Sequence, residues 1–319
     1  MRRLVPRLLT TTAMDGIKRF LTVVCIAACG SGGGGGGGSD IHDAGVDTHL
    51  GPDGHENDAI DAAVLGNGGG DRCANAETIS IATAHASLLA NPAGANADLA
   101  APCGTAGTPD VFFTFQLTRR ELVYADTFDA TGATALYFAS GCSTARTVST
   151  TPSDVLCSAG ACGTSQSQVV ALLDPGTHYL VYAGQGAATI HFQHAEVGTG
   201  TVTHLDAGSS TKTGATTNGA GLLYACEAGG KENAYWWHSC PSSAGGAFSA
   251  STCTGTNFDT MMSFQLPGAD SVMCDDDSCG TVQSSIATTL AGGAGLYVLA
   301  VDGFSQSQYG TYSLSVTRP

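Results

Sequence analysis

The chain has 319 residues, long enough for two domains of ordinary size, with 12 basic residues against 27 acidic ones for a formal charge of −15. That balance argues against nucleic acid as a partner. Charged residues make up only 12% of the chain and glycine accounts for 44 positions, so runs of Val, Thr, Tyr and Phe are broken by Gly, Ser and Asn. Such a composition points to a many-stranded, turn-rich fold and away from a helical one.

In chain order, Arg2, Arg3, Arg7, Lys18 and Arg19 precede a short apolar run, FLTVVCIAA at 20–28. The run is too short to cross a bilayer as a helix and reads as an export signal over residues 1–28. Met14 is an alternative start, because MDGIKRFLTVVCIAAC alone makes a complete short signal. The ending IAAC resembles the lipobox of bacterial lipoproteins, which makes Cys29 the expected lipidation site. Gly30 follows it, and in Gram-negative lipoproteins a residue other than Asp there implies sorting to the outer membrane. Several acyl chains would anchor the protein durably, since each buried methylene contributes about 0.8 kcal/mol. The expected location is therefore the periplasmic or cell-surface face of the outer membrane.

Residues 29–71 contain seven consecutive glycines, 32–38, followed by an acid-rich stretch. This segment lacks the apolar surface to offset the entropy of ordering and is expected to be a disordered linker. As a Gly-rich coil it would span about 35 Å. His42, His49 and His55 alternate with Asp40, Asp43, Asp47, Asp53, Glu56 and Asp58. The spacing fits neither an EF-hand loop nor HExxH, which favours a solvated linker over a metal site.

The remainder is a duplication. VLCSAGACGTSQS at 155–167 returns as VMCDDDSCGTVQS at 272–284, without a gap. Each version leads to a similar ending, LLDPGTHYLVYAG at 172–184 and LAGGAGLYVLAVDG at 290–303. The expected organisation is two all-β modules, 72–198 and 208–319. Strands are expected at 111–117, 121–128, 135–139, 168–173, 178–184 and 187–197, then at 233–240, 247–252, 260–266, 284–290, 296–303 and 310–316. Alternation is clearest in the last, where Tyr312, Leu314 and Val316 share one face. Short strands broken by turns fit a β-sandwich whose aromatics Phe112, Phe113, Phe115, Tyr235, Trp236 and Trp237 form core. The second copy, with NAYWW, AFSASTC, NFDTMM, CDDDSCG, GLYVLAVDG and GTYSLSV, resembles the bacterial pre-peptidase C-terminal domain. The first copy, with PDVFFTF, CGTSQS and PGTHYLVYAG, is similar to a diverged member. The resemblance implies two tandem jelly-roll-like sandwiches in an exported protein. It implies no peptidase activity, because in the peptidases the catalytic domain is a separate unit.

Setting aside Cys25 and Cys29, ten cysteines divide five to each copy. In an exported protein disulfides are their expected fate. The spacing favours local clasps Cys157–Cys162 and Cys274–Cys279 and a Cys73–Cys103 bridge, with Cys142–Cys157 as an alternative. Zinc is disfavoured by the CxxxxC spacing. The second copy also carries Asp259, Asp275, Asp276, Asp277 and Asp302 where the first has Ala133, Ser158 to Gly160 and Ala183. Five carboxylates of this kind suit Ca²⁺, and the alternative is turn residues that satisfy their own backbone. His191 and His194, three apart on a strand, face opposite ways and cannot chelate one ion. His178 and His238 beside aromatics are expected to be structural. No nucleophile or metalloprotease motif is present, so no catalytic residue and no enzymatic activity are expected. The expected function is binding or adhesion to a protein or glycan by a lipid-anchored protein. The alternatives are a structural spacer or matrix component without a specific ligand, and a secreted hydrolase. An exposed aromatic or acidic patch found only on the second copy would favour binding.

Overall fold

The computed structural model describes residues 68–319 except 143, 148, 218–225, 227–230 and 270. The signal segment, Cys29 and the linker up to residue 67 lie outside the described residues, whereas residues 68–71, expected to be linker, belong to the first sandwich: Gly70 bridges to Phe112, and buried Asp71 accepts the Asn96 amide at 2.7 Å. No α-helix occurs among the described residues, and the chain is all-β.

The first sandwich comprises β1 (Glu77–Thr78), β2 (His85–Ala90), β3 (Asp110–Leu117), β4 (Glu121–Asp126), β5 (Thr134–Gly141), β6 (Thr144–Ala145), β7 (Cys157–Ser158), β8 (Gln168–Leu173), β9 (Gly176–Gly184) and β10 (Ala188–Glu196). The second comprises β11 (Val202–His204), β12 (Gly208–Ala215), β13 (Asn233–Ser239), β14 (Ala244–Ser251), β15 (Thr260–Gln265), β16 (Val272–Asp275), β17 (Ser285–Gly292), β18 (Gly295–Gly303) and β19 (Thr311–Arg318). In the first, β2-β10-β4-β8 face β1-β3-β9-β5, with β6 and β7 both on β5. In the second, β12-β19-β14-β17 face β11-β13-β18-β15-β16. Successive strands shuttle between two sheets in the same order twice, which is jelly-roll topology.

The duplicated stretch folds around a duplicated knot. Thr127 and Thr134 share a hydroxyl bond of 2.6 Å, and Ser167 donates its N–H to Thr127 Oγ1 at 3.0 Å and its hydroxyl to the Thr134 carbonyl at 2.7 Å. Thr252, Thr260 and Ser284 repeat these bonds at 2.8, 3.1 and 2.6 Å. All six residues are buried, so each knot is where β4 or β14, and β5 or β15, are tied to the turn before β8 or β17.

Each sandwich has its own core. Phe113, Phe115, Leu136, Phe138, Tyr182 and Phe192 lie in the first, and Trp237, Phe248, Phe264, Tyr297 and Tyr312 in the second. Trp236 belongs to neither. It is fully buried in a third cluster with Ala234, Leu296 and Val298 of the second sandwich and Leu122, Tyr124, Val170, Leu172, Ala195 and Val197 of the first. The outward face of β4, β8 and β10 therefore packs on the outward face of β13 and β18. This explains why ELVYAD and QVVALL are buried at every position: both faces of these strands are covered. Between the modules Gly198 has a φ of +60°, and a β-carbon there would collide with the Glu232 carboxylate.

The disulfides differ from the local clasps expected from spacing. They are Cys73–Cys142, Cys103–Cys157, Cys162–Cys240, Cys226–Cys274 and Cys253–Cys279. Neither Cys157–Cys162, Cys274–Cys279 and Cys73–Cys103 nor the Cys142–Cys157 alternative forms. Cys157 and Cys274 stand on strands beside β5 and β15, while Cys162 and Cys279 lie beyond a turn, with Cys162 at a φ of +58°. Each strand cysteine bonds a cysteine earlier in its own module, Cys157 to Cys103 and Cys274 to Cys226, so these two bridges match. The knots align Thr127 with Thr252, so Phe128 stands where the second module has Cys253. Cys279 thus finds a partner within its module, whereas Cys162 reaches Cys240 in the other. The odd cysteine of each half joins the two halves.

That bond closes a span of 78 residues, for which the loop-entropy model gives about 4.5 kcal/mol. The double variant Cys162→Ser/Cys240→Ser is expected to lower unfolding stability by roughly that amount, read from the denaturant midpoint under non-reducing conditions. An unchanged midpoint would show that the clamp does not hold the modules.

Candidate functional site

The five aspartates distinguishing the second copy do not converge on one point. Asp275 accepts hydrogen bonds from Ser278 Oγ and, at 2.6 Å, from the Ser285 amide. Asp302 is buried on the outward face of β18, where its Oδ1 accepts the Gly303 amide at 2.6 Å and its Oδ2 has no hydrogen-bond partner. Burial, aided by the Glu232 charge, raises the Asp302 carboxyl to about 7. Asp259 lies apart. Its carboxyl is pushed up by burial and then by the charges of Asp277 and Asp276, and its Oδ1 is buried without a partner. Among the described residues no group of three or more His, Cys, Asp or Glu side chains is arranged to hold a metal ion.

Asp259 is also the hub of a loop surface. Its carbonyl accepts the Phe304 amide at 3.1 Å, its own amide donates to Gln308 Oε1 at 3.4 Å, and the next residue, Thr260, donates to the Val282 carbonyl at 3.0 Å. The β18–β19 loop and the loop before β17 are thus drawn to one end of the second module. There Val282, Phe304 and Tyr309 are 48%, 47% and 49% exposed, beside Asp276 and Asp277. The corresponding β9–β10 connection of the first module is Gln185-Gly186-Ala187 and has no aromatic residue. Among the described residues Leu89 is the one large apolar side chain as exposed on the first module.

The histidines divide by strand face. On β10, Ile190 and Phe192 point into the first core. His194 follows them on that side and meets Glu121 Oε2 at 2.6 Å. His191 faces outward. His178 is buried against Phe115 with its Nε2 on the Asp174 carbonyl at 2.8 Å, and burial lowers it. His238 is lowered to about 4, chiefly by burial, and stacks beside Trp236.

Sequence reasoning missed the surroundings of His191. It lines a cleft of about 470 Å³ between the modules, walled by the outward face of β2, β4 and β10 and by Pro241, Pro267 and Gly293 to Gly295 of the second module. His191 Nδ1 lies 3.1 Å from Asp126 Oδ1 and its Nε2 lies 3.2 Å from Asp129 Oδ2. Asp126 is only 3% exposed. Its carboxylate also accepts the Tyr124 hydroxyl at 2.7 Å and the Phe128 amide at 3.1 Å. The Asp126 hydrogen bond raises the His191 imidazole above its ordinary range despite partial burial. No local motif announces this site, because its residues lie on three strands far apart in sequence. Only the pairing of β10 with β2 and β4, which sets Ser87, His191 and Asp126 in one row, assembles them.

No protein-family model matches the chain, and no curated protein matches it. Among solved structures, one of Sulfolobus turreted icosahedral virus is similar at 13% identity and a TM-score of 0.22, covering 65% of this chain and 55% of that one. A second, described as showing the triple jelly roll fold and turret assembly in an archaeal virus, has 12% identity and a TM-score of 0.22 over 65% and 54%. The chain spans about half the length of each. The jelly-roll assignment rests on strand order.

Asp302 gives a pH prediction. Its folded-state pKa lies above the unfolded value near 4, so the stability associated with its neutral form is present at low pH. It is lost as pH rises through about 7. Asp302→Asn keeps an acceptor for Gly303 and removes the ionisation cost. Its melting temperature is expected to exceed that of the unsubstituted protein at pH 8, with the gap closing toward pH 4. A gap independent of pH would show that Asp302 ionises in the fold without cost.

Proposed function

We propose that the protein is an exported, lipid-anchored binding protein that engages a protein or glycan through the loop end of its second module. The observation that carries this reading is the exposed pair Phe304 and Tyr309 beside Asp259, Asp276 and Asp277, with no counterpart on the first module. Exposed aromatic rings grouped on loops are costly to leave in water, and with neighbouring carboxylates they supply stacking and hydrogen-bonding groups to a partner. A spacer has no need of such a difference between its copies. Five disulfides fit an oxidising compartment outside the inner membrane. In this reading Cys29 carries the lipid, and the linker from 29 to 67 holds the modules clear of the headgroups. The pre-peptidase C-terminal resemblance belongs with this reading as the module type. In this reading calcium binding would draw the Asp276–Asp277 loop toward Asp259, because the three carboxylates are not arranged as ligands in this structure although their hard oxygen donors suit that ion.

Three measurements test this reading. Phe304→Ala/Tyr309→Ala is expected to lower retention on glycan or peptide arrays at least tenfold with the melting temperature unchanged. Equal retention of the variant would move the site off these loops. Millimolar calcium is expected to raise the melting temperature of the unsubstituted protein and not that of Asp259→Ala, and no rise removes calcium from the reading. Cys29→Ser expressed in a Gram-negative host is expected to shift the protein from the detergent phase to the aqueous phase on phase partitioning. A protein that is already aqueous when unsubstituted would refute the anchor.

A further inference from the structure

We infer that the cleft between the modules is a second, separate site, built to take a small neutral polyhydroxylated ligand of one or two sugar rings. Four observations carry this. The cleft is fixed before any ligand arrives. Gln193 exchanges two hydrogen bonds with the Leu296 backbone, at 2.8 and 3.1 Å, and Gln168 donates to the Ser239 carbonyl at 2.8 Å. The Cys162–Cys240 bridge sits one residue from Pro241 on the wall. A preformed cavity of this volume lies within the range of small-ligand sites and spares the entropy of closing.

The second observation is chemical. Ser87, His191 and Asp126 stand in register across β2, β10 and β4 on the face that lines the cleft, with Asp129 at its edge. The Ser87 hydroxyl and the exposed Asp129 carboxylate are open to a ligand, and a sugar hydroxyl that displaces Asp129 would meet the His191 Nε2 that Asp126 holds in place from the other side, which gives the mix of donors and acceptors that vicinal hydroxyls require. Phe128, Pro241 and Pro267 supply apolar surface against which the C–H face of a ring can lie. The third is charge. His191 sits between two carboxylates, and the described residues lining the cleft include no Lys or Arg to receive an anion.

The fourth is the comparison between copies. The knots align Asp126 with Ser251, and the residue paired with Ser251 on β19 is Ser315, as His191 pairs with Asp126. The sandwich therefore folds with two serines at these positions. The imidazole and carboxylate occur only where the partner module forms the opposite wall.

The test uses the full mature chain and ligand-observed NMR with galactose, N-acetylglucosamine and maltose. Binding of at least one is expected, weakened tenfold or more in His191→Ala and abolished in Ser87→Trp, which fills the cleft from its rim and leaves the His191–Asp126 bond in place. In the Phe304→Ala/Tyr309→Ala background, which removes any contribution of the loops, sugar binding is expected to persist and to be abolished by adding Ser87→Trp. The inference is overturned if none of the three binds, if Ser87→Trp binds unchanged, or if the loop variant loses binding. The last result would assign the sugar to the loops. Failure at the cleft leaves the loop-end reading standing, because that reading is measured on different variants.

Discussion

The contact on which the rest of the architecture depends is the apolar seam between the outward faces of two sheets. Leu122, Val170, Leu172 and Val197 of the first module would lie open to water without Trp236, Leu296 and Val298 of the second. Each large side chain buried there contributes about 1.5–3 kcal/mol relative to exposure. The seam is apolar at its centre and polar at its edges. Gln168 and Gln193 satisfy backbone groups of the opposite module, and Gln265 Nε2 donates to the His194 carbonyl at 3.1 Å. The polar border fixes the relative orientation of the sandwiches, and the cleft at His191 exists because that orientation is fixed.

The seam is heterologous, since the first module uses its β2-β10-β4-β8 sheet and the second its β13-containing sheet. Packing of that kind would propagate along a chain of copies unless its ends were closed. Both ends are. On the first module, Cys73, Leu99 and Ala101 cover Phe112, Tyr137 and Val181, and Asp110 pins the covering loop by accepting the Asp98 and Leu99 amides at 3.0 and 3.2 Å. On the second, the outward positions of β19 are Thr311, Ser313, Ser315 and Thr317, which water solvates readily. The duplicated sequence has diverged so that two copies stack and a third has nowhere to add.

Much of the strand layout was legible in the sequence because burial on two faces leaves continuous apolar runs, as in QVVALL and GLYVLAVDG. What those runs were buried against was not legible, since a one-dimensional pattern does not distinguish a module's own core from its neighbour. Strand β12, GSSTKTGA, escaped notice because the ring of Tyr312 covers the space where a side chain of Gly214 would lie, which leaves no apolar alternation to read. The cysteines misled for a related reason. Five residues of separation put Cys157 on a strand and Cys162 past a turn, and proximity along the chain then says little about which sulfur lies near which.

The five aspartates and His191 show the same limit from opposite sides. The aspartates stood out by composition, yet the fold disperses them: Asp275 tightens a turn, Asp302 lies near Glu232, and Asp259 alone faces the acids of the neighbouring loop. His191 stood out only as half of a pair with His194 that strand geometry separates, yet strand pairing gives it a buried carboxylate partner and a second module for a wall. Function in a duplicated fold is best sought where equivalent positions carry different chemistry and the difference is not required for folding. Ser251 and Ser315 in place of Asp126 and His191 meet that condition, as does Gln185-Gly186-Ala187 opposite the loop bearing Phe304 and Tyr309. Phe128 in place of Cys253 bears on both stability and the cleft. The exchange leaves Cys162 free to bridge the modules, and it places an aromatic ring on the wall of the cleft that the bridge holds in place.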